Sequence, residues 1–150
     1  MKTFILVLAM TVASFSAHAA ELITKSSPHS VSDTMDQLVA AVEKAGATVF
    51  ARVDHAAGAA GIDAELKPNQ MLVFGNPKIG TPIMQADPMA GLDLPIRVVI
   101  FEDAAGDTQV AYHDPQQFAA SYNVPADLKS LAMMAGALGK LTDAAVQASN

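Results

Sequence analysis

Apolar residues recur with two periods along this chain, and the alternation between them lays out the elements. Met35, Leu38, Val39, Val42 and Ala45 follow one another at three- and four-residue spacing, which places them on one face of a helix. Ser30 stands where that helix begins, with Asp33 three residues on as an imperfect capping box, and Lys44 followed by Gly46 closes it. Before it, Leu22 to Lys25 reads as a short strand. After it, Thr48 to Val53 has the β-branched and aromatic content of another, and Asp54 is placed to cap a short, glycine-weakened helix through His55 to Gly61. Met71 to Phe74 is an unbroken apolar run between Asn69 and Gly75-Asn76-Pro77, the pattern of a strand covered on both sides and central in its sheet.

Thr81 and Pro82 give a cap followed by proline, the expected start of the next short helix, which Pro88 should kink or end. Ile96 to Glu102 and Thr108 to Tyr112 flank Asp103 to Asp107, and Gly106 in that loop predicts an antiparallel hairpin. Asp114-Pro115 with Gln117 opens one more helical turn. From Pro125 to Ala148, Leu128, Leu131, Met134, Leu138 and Leu141 form a helical stripe that must pack on something. The fold class that follows is α+β: a single domain with a mainly antiparallel sheet of about five strands, helices packed on it, and a C-terminal helix.

The first residues have a different logic. Lys2 is a positive n-region, Phe4 to Val12 an apolar h-region and Ala17-His18-Ala19 a small-residue cleavage site, so residues 1–19 read as a secretory signal peptide cut between Ala19 and Ala20. A membrane anchor would need to span about 30 Å of hydrocarbon, which this run is too short to do. The expected mature domain, residues 20–150, is periplasmic or secreted. Its formal charge is one unit more negative than the full chain's −6, because Lys2 leaves with the signal. Acidity of that kind repels phosphate backbones and anionic lipid, which excludes nucleic acid and the membrane surface as partners. With no cysteine there is no disulfide, thiolate nucleophile, zinc ribbon or lipid-accepting thiol.

Several short motifs in order carry a resemblance: Asp54 to Gly61 (DHAAGAAG), Gly75 to Pro77 (GNP), Leu94 to Asp103 (LPIRVVIFED), and Asp114 with Pro115. Together they resemble the bacterial and archaeal family catalogued as domain of unknown function number 302, over about Ile23 to Tyr122, with the C-terminal helix at about 125–148 beyond that core. The resemblance implies an α+β fold and no established activity.

Chemistry is thinner than architecture. There is no G-x-S-x-G, no H-E-x-x-H and no P-loop, and Gly58-Ala59-Ala60-Gly61 lacks the third glycine of a dinucleotide fingerprint. Imidazole is the commonest metal ligand and titrates near neutral pH. His29 lies beside Pro28 outside a helix start and suits a solvated loop. His55 and His113 each follow a strand and sit beside Asp54 and Asp114. Convergence at one end of the sheet would make His55, His113 and Asp114 a metal-capable cluster. Otherwise each aspartate caps the turn behind it and each histidine is half-exposed at a strand end. Of eight methionines six follow the signal, and irregular core filling accounts for them better than copper binding. Asn76 and Lys78, around Pro77, offer a turn with backbone amides for an anion, or simply a turn. Arg97 and Glu102 fall on opposite faces of one strand, leaving Arg97 as an anion contact or a solvated strand residue.

Three readings remain open. One is a ligand-binding domain taking a small molecule or metal near His55, with Asn76, Lys78 and Arg97 as further binding residues. It requires the strands before His55 and before Gly75 to be parallel neighbours, so that both reach the same sheet edge. The second is an interaction module acting as a homodimer, with no site at all. The third is an enzyme using His55 as general base, which lacks a visible nucleophile or oxyanion donor. The sequence names no cofactor.

Overall fold

The computed structural model describes residues 22–147, so the expected signal peptide over residues 1–19 lies outside the described residues. The elements run β1 (Leu22–Ser27), α1 (Val31–Lys44), β2 (Thr48–Asp54), α2 (His55–Ala60), β3 (Asn69–Gly75), α3 (Pro77–Ala86), a 3-10 turn (Pro88–Leu92), β4 (Ile96–Glu102), β5 (Thr108–His113), α4 (Gln117–Ser121) and α5 (Lys129–Val146). The strands form one sheet in the order β1-β5-β4-β3-β2, and every neighbouring pair is antiparallel. This is the α+β architecture that the two apolar periods predict.

Helices α1 and α5 pack on each other and on the same face of the sheet. Met35, Leu38 and Val42 of α1 meet Leu72 and Phe74 of β3, Val98 and Ile100 of β4, and Leu131 and Leu138 of α5 in one buried cluster. Burial therefore alternates along β1, β3 and β4. On β3, Leu72 and Phe74 are buried, whereas Met71 and Val73 are only half-buried on the opposite face, which corrects the expectation of a strand covered on both sides. An apolar run reads the same in either setting, because the second face near β3 carries half-buried apolar side chains of its own, Met71 and Val73 beside Val99 and Phe101 of β4. The strand is interior, as expected, paired to β2 on one side and β4 on the other.

Local signals explain most boundaries. Ser30 Oγ accepts the Asp33 amide at 3.1 Å and donates to Asp33 Oδ2 at 2.7 Å, satisfying an orphan amide at the start of α1. Gly46 leaves that helix with φ 72°, a conformation open to glycine at little cost. The expected start of α3 is wrong by one cap-and-proline pair. Asn76 and Pro77 begin it, with Asn76 Oδ1 accepting the Lys78 amide at 3.0 Å, and Pro82 lies inside the helix, where it deletes the bond to the Lys78 carbonyl. Both pairs have the same chemistry, and the first one met by the chain prevails.

In the β4–β5 hairpin Asp103 organises the loop: its Oδ1 accepts the Ala105 and Asp107 amides at 2.9 and 3.0 Å, and Gly106 turns with φ 93°. Helix α5 is fastened at the sheet's β1 edge. Lys25 reaches across to Thr142 Oγ1 at 2.7 Å, the Gly139 carbonyl at 3.0 Å and Asp143 at 2.5 Å. At the other edge β2 carries a register shift between Val49 and Ala51, and the bulged Phe50 is 57% exposed.

The all-antiparallel order assigns each connection to one of two ends. Thr48, Gly75, Ile96, His113 and Leu22 gather at one end, while Asp54, Asn69, Glu102, Thr108 and Ser27 gather at the other.

Candidate functional site

His55 lies at the second of these ends, exposed as the first residue of α2. Asp54 caps that helix, its Oδ1 accepting the Ala57 amide at 2.9 Å, so the capping role expected of Asp54 holds. The shared pocket with Gly75-Asn76-Pro77 does not. Asp54 pairs with Gln70 and Thr48 with Gly75, which puts His55 a full strand length from that turn, about 20 Å at about 3.3 Å per residue. The proposed metal cluster fails for the same reason. His113 and Asp114 close β5 at the Gly75 end, on the far side of the sheet from β2, and no group of three or more His, Asp or Glu side chains among the described residues could hold a metal.

The Gly75 end holds two concavities side by side. The larger, about 290 Å³, lies between the ends of β3 and β4, helix α3 and helix α5, with Phe74, Ile79, Met84, Ile96, Met134 and Leu138 among its walls. Small side chains at Ala47, Gly80 and Ala137 leave the space; a Cβ added at Gly80 would meet only Leu94 Cδ1, at 3.8 Å. Asn76 lines the cavity but its side-chain oxygen is committed to the α3 cap. Lys78 is exposed and is not among the lining residues.

The smaller concavity, about 180 Å³, lies beyond Ile96, which lines both. Here the fold does bring together three residues singled out in the sequence, Arg97, His113 and Asp114, and adds Asp93, Gln117, Ser121 and Tyr122. Val99 pairs with Ala111 across β4 and β5, so two residues along, Arg97 and His113 emerge on the same sheet face. Arg97 Nη2 donates to Asp93 Oδ1 at 2.7 Å, and the Tyr122 hydroxyl donates to Asp93 Oδ2 at 2.5 Å. That bond, with desolvation and the Asp93 charge behind it, pushes the Tyr122 phenol above its ordinary value, so it stays a donor. Asp114 Oδ1 accepts the Gln116 amide at 2.9 Å.

Asp87 opens the segment between α3 and β4, whose last residues, Asp93, Leu94 and Pro95, line one concavity or the other. Its carboxylate accepts the Asn123 amide at 2.9 Å and the Met89 amide at 2.9 Å, and these bonds, that from Asn123 foremost, hold its pKa below the usual carboxylate range. Sequence reasoning found neither Asp93 nor Tyr122, which lie 29 positions apart with no local pattern joining them. The apolar cavity had only one faint signal, the small residues Ala47, Gly80 and Ala137 amid larger apolar neighbours.

The profile of the family described as domain of unknown function DUF302 matches residues 23–147, so the likeness extends past Tyr122 to take in α5. Among curated proteins the chain is 39% identical over 117 residues to "Fluoride-specific ion channel FluC 1" of Brucella suis biovar 1 (strain 1330), covering 77% of this chain and 46% of that one. It is likewise 39% identical over 117 residues to the protein of that name from Brucella abortus biovar 1 (strain 9-941), covering 43% of it. The chain thus spans about half the length of the curated relatives it matches. Among solved structures it resembles an uncharacterized conserved DUF302 protein from Bacillus stearothermophilus, with a TM-score of 0.75 and 18% identity over 85% of this chain and 99% of that one; at that identity the likeness speaks to fold. With the family profile covering all five strands and both long helices, the chain belongs to the DUF302 family.

Proposed function

We propose that this domain binds a small apolar molecule in the cavity at the Gly75 end of the sheet, and does so as an exported protein after cleavage between Ala19 and Ala20. One observation carries the reading: a cavity of about 290 Å³ walled by aliphatic, aromatic and thioether side chains, with Asn76 and Thr81 as its polar side chains, nearly twice the roughly 150 Å³ that houses benzene in an apolar protein interior. A fused bicyclic aromatic or a short acyl chain is of that size. No titratable side chain is among the lining residues, which favours binding over acid–base chemistry. His55 as a general base draws no support from its setting, exposed at the opposite end of the sheet.

The channel name belongs to the longer Brucella relatives. No helix among the described residues is long and apolar enough to cross a membrane, and the reading for this chain is ligand binding. The test is titration with 2-naphthol, followed through the methyl resonances of Ile79, Met134 and Leu138. Saturable shifts are expected, lost in Ala137→Phe, whose ring would fill the space. A linear, unsaturating response, or an Ala137→Phe variant that binds as before, overturns the reading. Separately, N-terminal sequencing of exported material should begin at Ala20; a retained Met1 would remove the export half of the proposal.

One observation favours a second reading, self-association through the uncovered sheet face. Met71, Val73, Val99, Phe101 and Ala111 lie on that face, and Arg97 is the one Lys, Arg, Asp or Glu among its strand positions in a chain of charge −6. Two copies could meet there without opposing carboxylates. Sedimentation equilibrium at rising concentration tests it: a dimer mass abolished by Val99→Lys supports the reading, and a monomer at all concentrations ends it.

A further inference from the structure

We infer that the smaller concavity beside the cavity is a second binding site, taking a small zwitterion of the α-amino-acid type, with its carboxylate on Arg97 and His113 and its ammonium on Asp114. The smaller concavity shares only Ile96 with the apolar cavity, and the inference does not depend on what fills that cavity.

Size sets the first limit. About 180 Å³ slightly exceeds the roughly 150 Å³ that holds the six carbons of benzene, so the occupant has about six to eight heavy atoms. The second limit is charge. Asp93 and Asp114 together outweigh Arg97, so a plain anion approaches a net negative wall, while a plain cation must pass the guanidinium. A molecule carrying both charged groups on one carbon meets complementary groups at each end.

Preorganisation points the same way. Arg97 is held through Nη2 by Asp93 Oδ1, and Asp93 is held in turn by the Tyr122 hydroxyl on Oδ2. The guanidinium is therefore anchored at one corner, and among the described residues its Nε and Nη1 make no further hydrogen bond. A guanidinium fixed in this way presents donors suited to a carboxylate. His113, emerging on the same face, adds a ring nitrogen. Asp114 has one oxygen committed to the Gln116 amide, which fixes the side chain while leaving its second oxygen an acceptor for an ammonium. Gln117 and Ser121 line the same space with neutral polar groups. The Arg97 and Asp93 side chains are 47% and 45% exposed, so water screens these charges and the affinity belongs in the range of about 1 mM rather than micromolar.

The test uses L-alanine, which carries both charges on six heavy atoms, with acetate and ethylammonium as its two halves at matched ionic strength. Binding is followed by NMR at the Arg97 Nε–H and the His113 ring. L-alanine should give saturable shifts, and each half should bind at least tenfold more weakly. Arg97→Gln and Asp114→Asn should each lower the alanine affinity tenfold or more, and Arg97→Lys, which keeps the charge without the planar fork, several-fold. Asp114→Asn retains a side-chain oxygen to accept the Gln116 amide, and the exposed Arg97 pair adds little to the fold, so unchanged thermal melts should accompany the loss. Saturation with 2-naphthol should leave the alanine affinity unchanged, which separates this site from the cavity. No saturable response to alanine, acetate binding as tightly as alanine, or an unaffected Arg97→Gln variant would each overturn the inference.

Discussion

Asp87 ties the segment between α3 and β4 to the turn that leads into α5, and two backbone amides on one carboxylate make its ionised form part of the fold. The Asn123 and Met89 N–H groups hold its pKa below 3.8; Asp103, gripped above all by the Asp107 amide in the β4–β5 loop, is lowered likewise. A group whose folded pKa is depressed adds stability that is present above its unfolded value and lost as the pH falls through the folded one. Thermal melts should therefore show stability falling from about pH 4 downward, with a shallower fall in Asp87→Asn and a shallower one still when Asp103→Asn is added. An acid limb of unchanged slope in the double variant would place the acid sensitivity elsewhere. Residues of this kind also mark how far the sequence could be read. The Asp54 cap was legible because its partner is three positions away, and Arg97, His113 and Asp114 were legible as polar groups at strand ends. Their joining with Asp93 and Tyr122 was not, since hydrogen bonds across 29 positions leave no trace in local spacing.

At the level of elements, capping and burial have separable effects. Ser30→Ala removes the acceptor for the Asp33 amide and should lower stability by about 1 kcal/mol. Leu138 is 2% exposed on the inner face of α5, and Leu138→Ala should cost about 2 to 5 kcal/mol. Denaturant midpoints at constant slope check both, and a Leu138→Ala variant as stable as its parent would mean that α5 is not part of the core. Helix α1 could be read from the sequence because period, cap and terminator agree there: Ser30, the Met35 to Val42 stripe and Gly46 all describe one helix. Helix α5 was legible from its stripe alone and begins at Lys129 with no side-chain cap, later than the expected Pro125. Where two signals of equal chemistry follow each other, as Asn76-Pro77 and Thr81-Pro82 do, local reasoning has no means of ranking them. The outcome depends on where β3 must end, and its pairing with both β2 and β4 sets that point.

The whole molecule turns on strand order, which no local pattern specifies. Had β2 and β3 been parallel neighbours, His55 and the Gly75 turn would share an edge; the antiparallel meander from β2 through β3 and β4 to β5, with β1 added beside β5, sends them to opposite ends. It gathers the ends of β3, β4 and β5 under α3, α4 and α5 instead, and both concavities form there. Because the apolar cavity is walled by sheet and helices at once, occupying it should stabilise the domain as a unit. A ligand that binds only the folded state adds about 2.7 kcal/mol at one hundred times its dissociation constant, enough to raise the melting temperature of a domain this size by several degrees. With 2-naphthol the parent should melt in a single transition that moves upward with concentration. Ala137→Phe, its cavity filled by its own side chain, should start at or above the parent's temperature, since filling a void commonly adds about 0.5 to 2 kcal/mol, and should then stay where it is as ligand is added. If the variant starts low and still responds to ligand, the space beside Ala137 is not where the molecule binds.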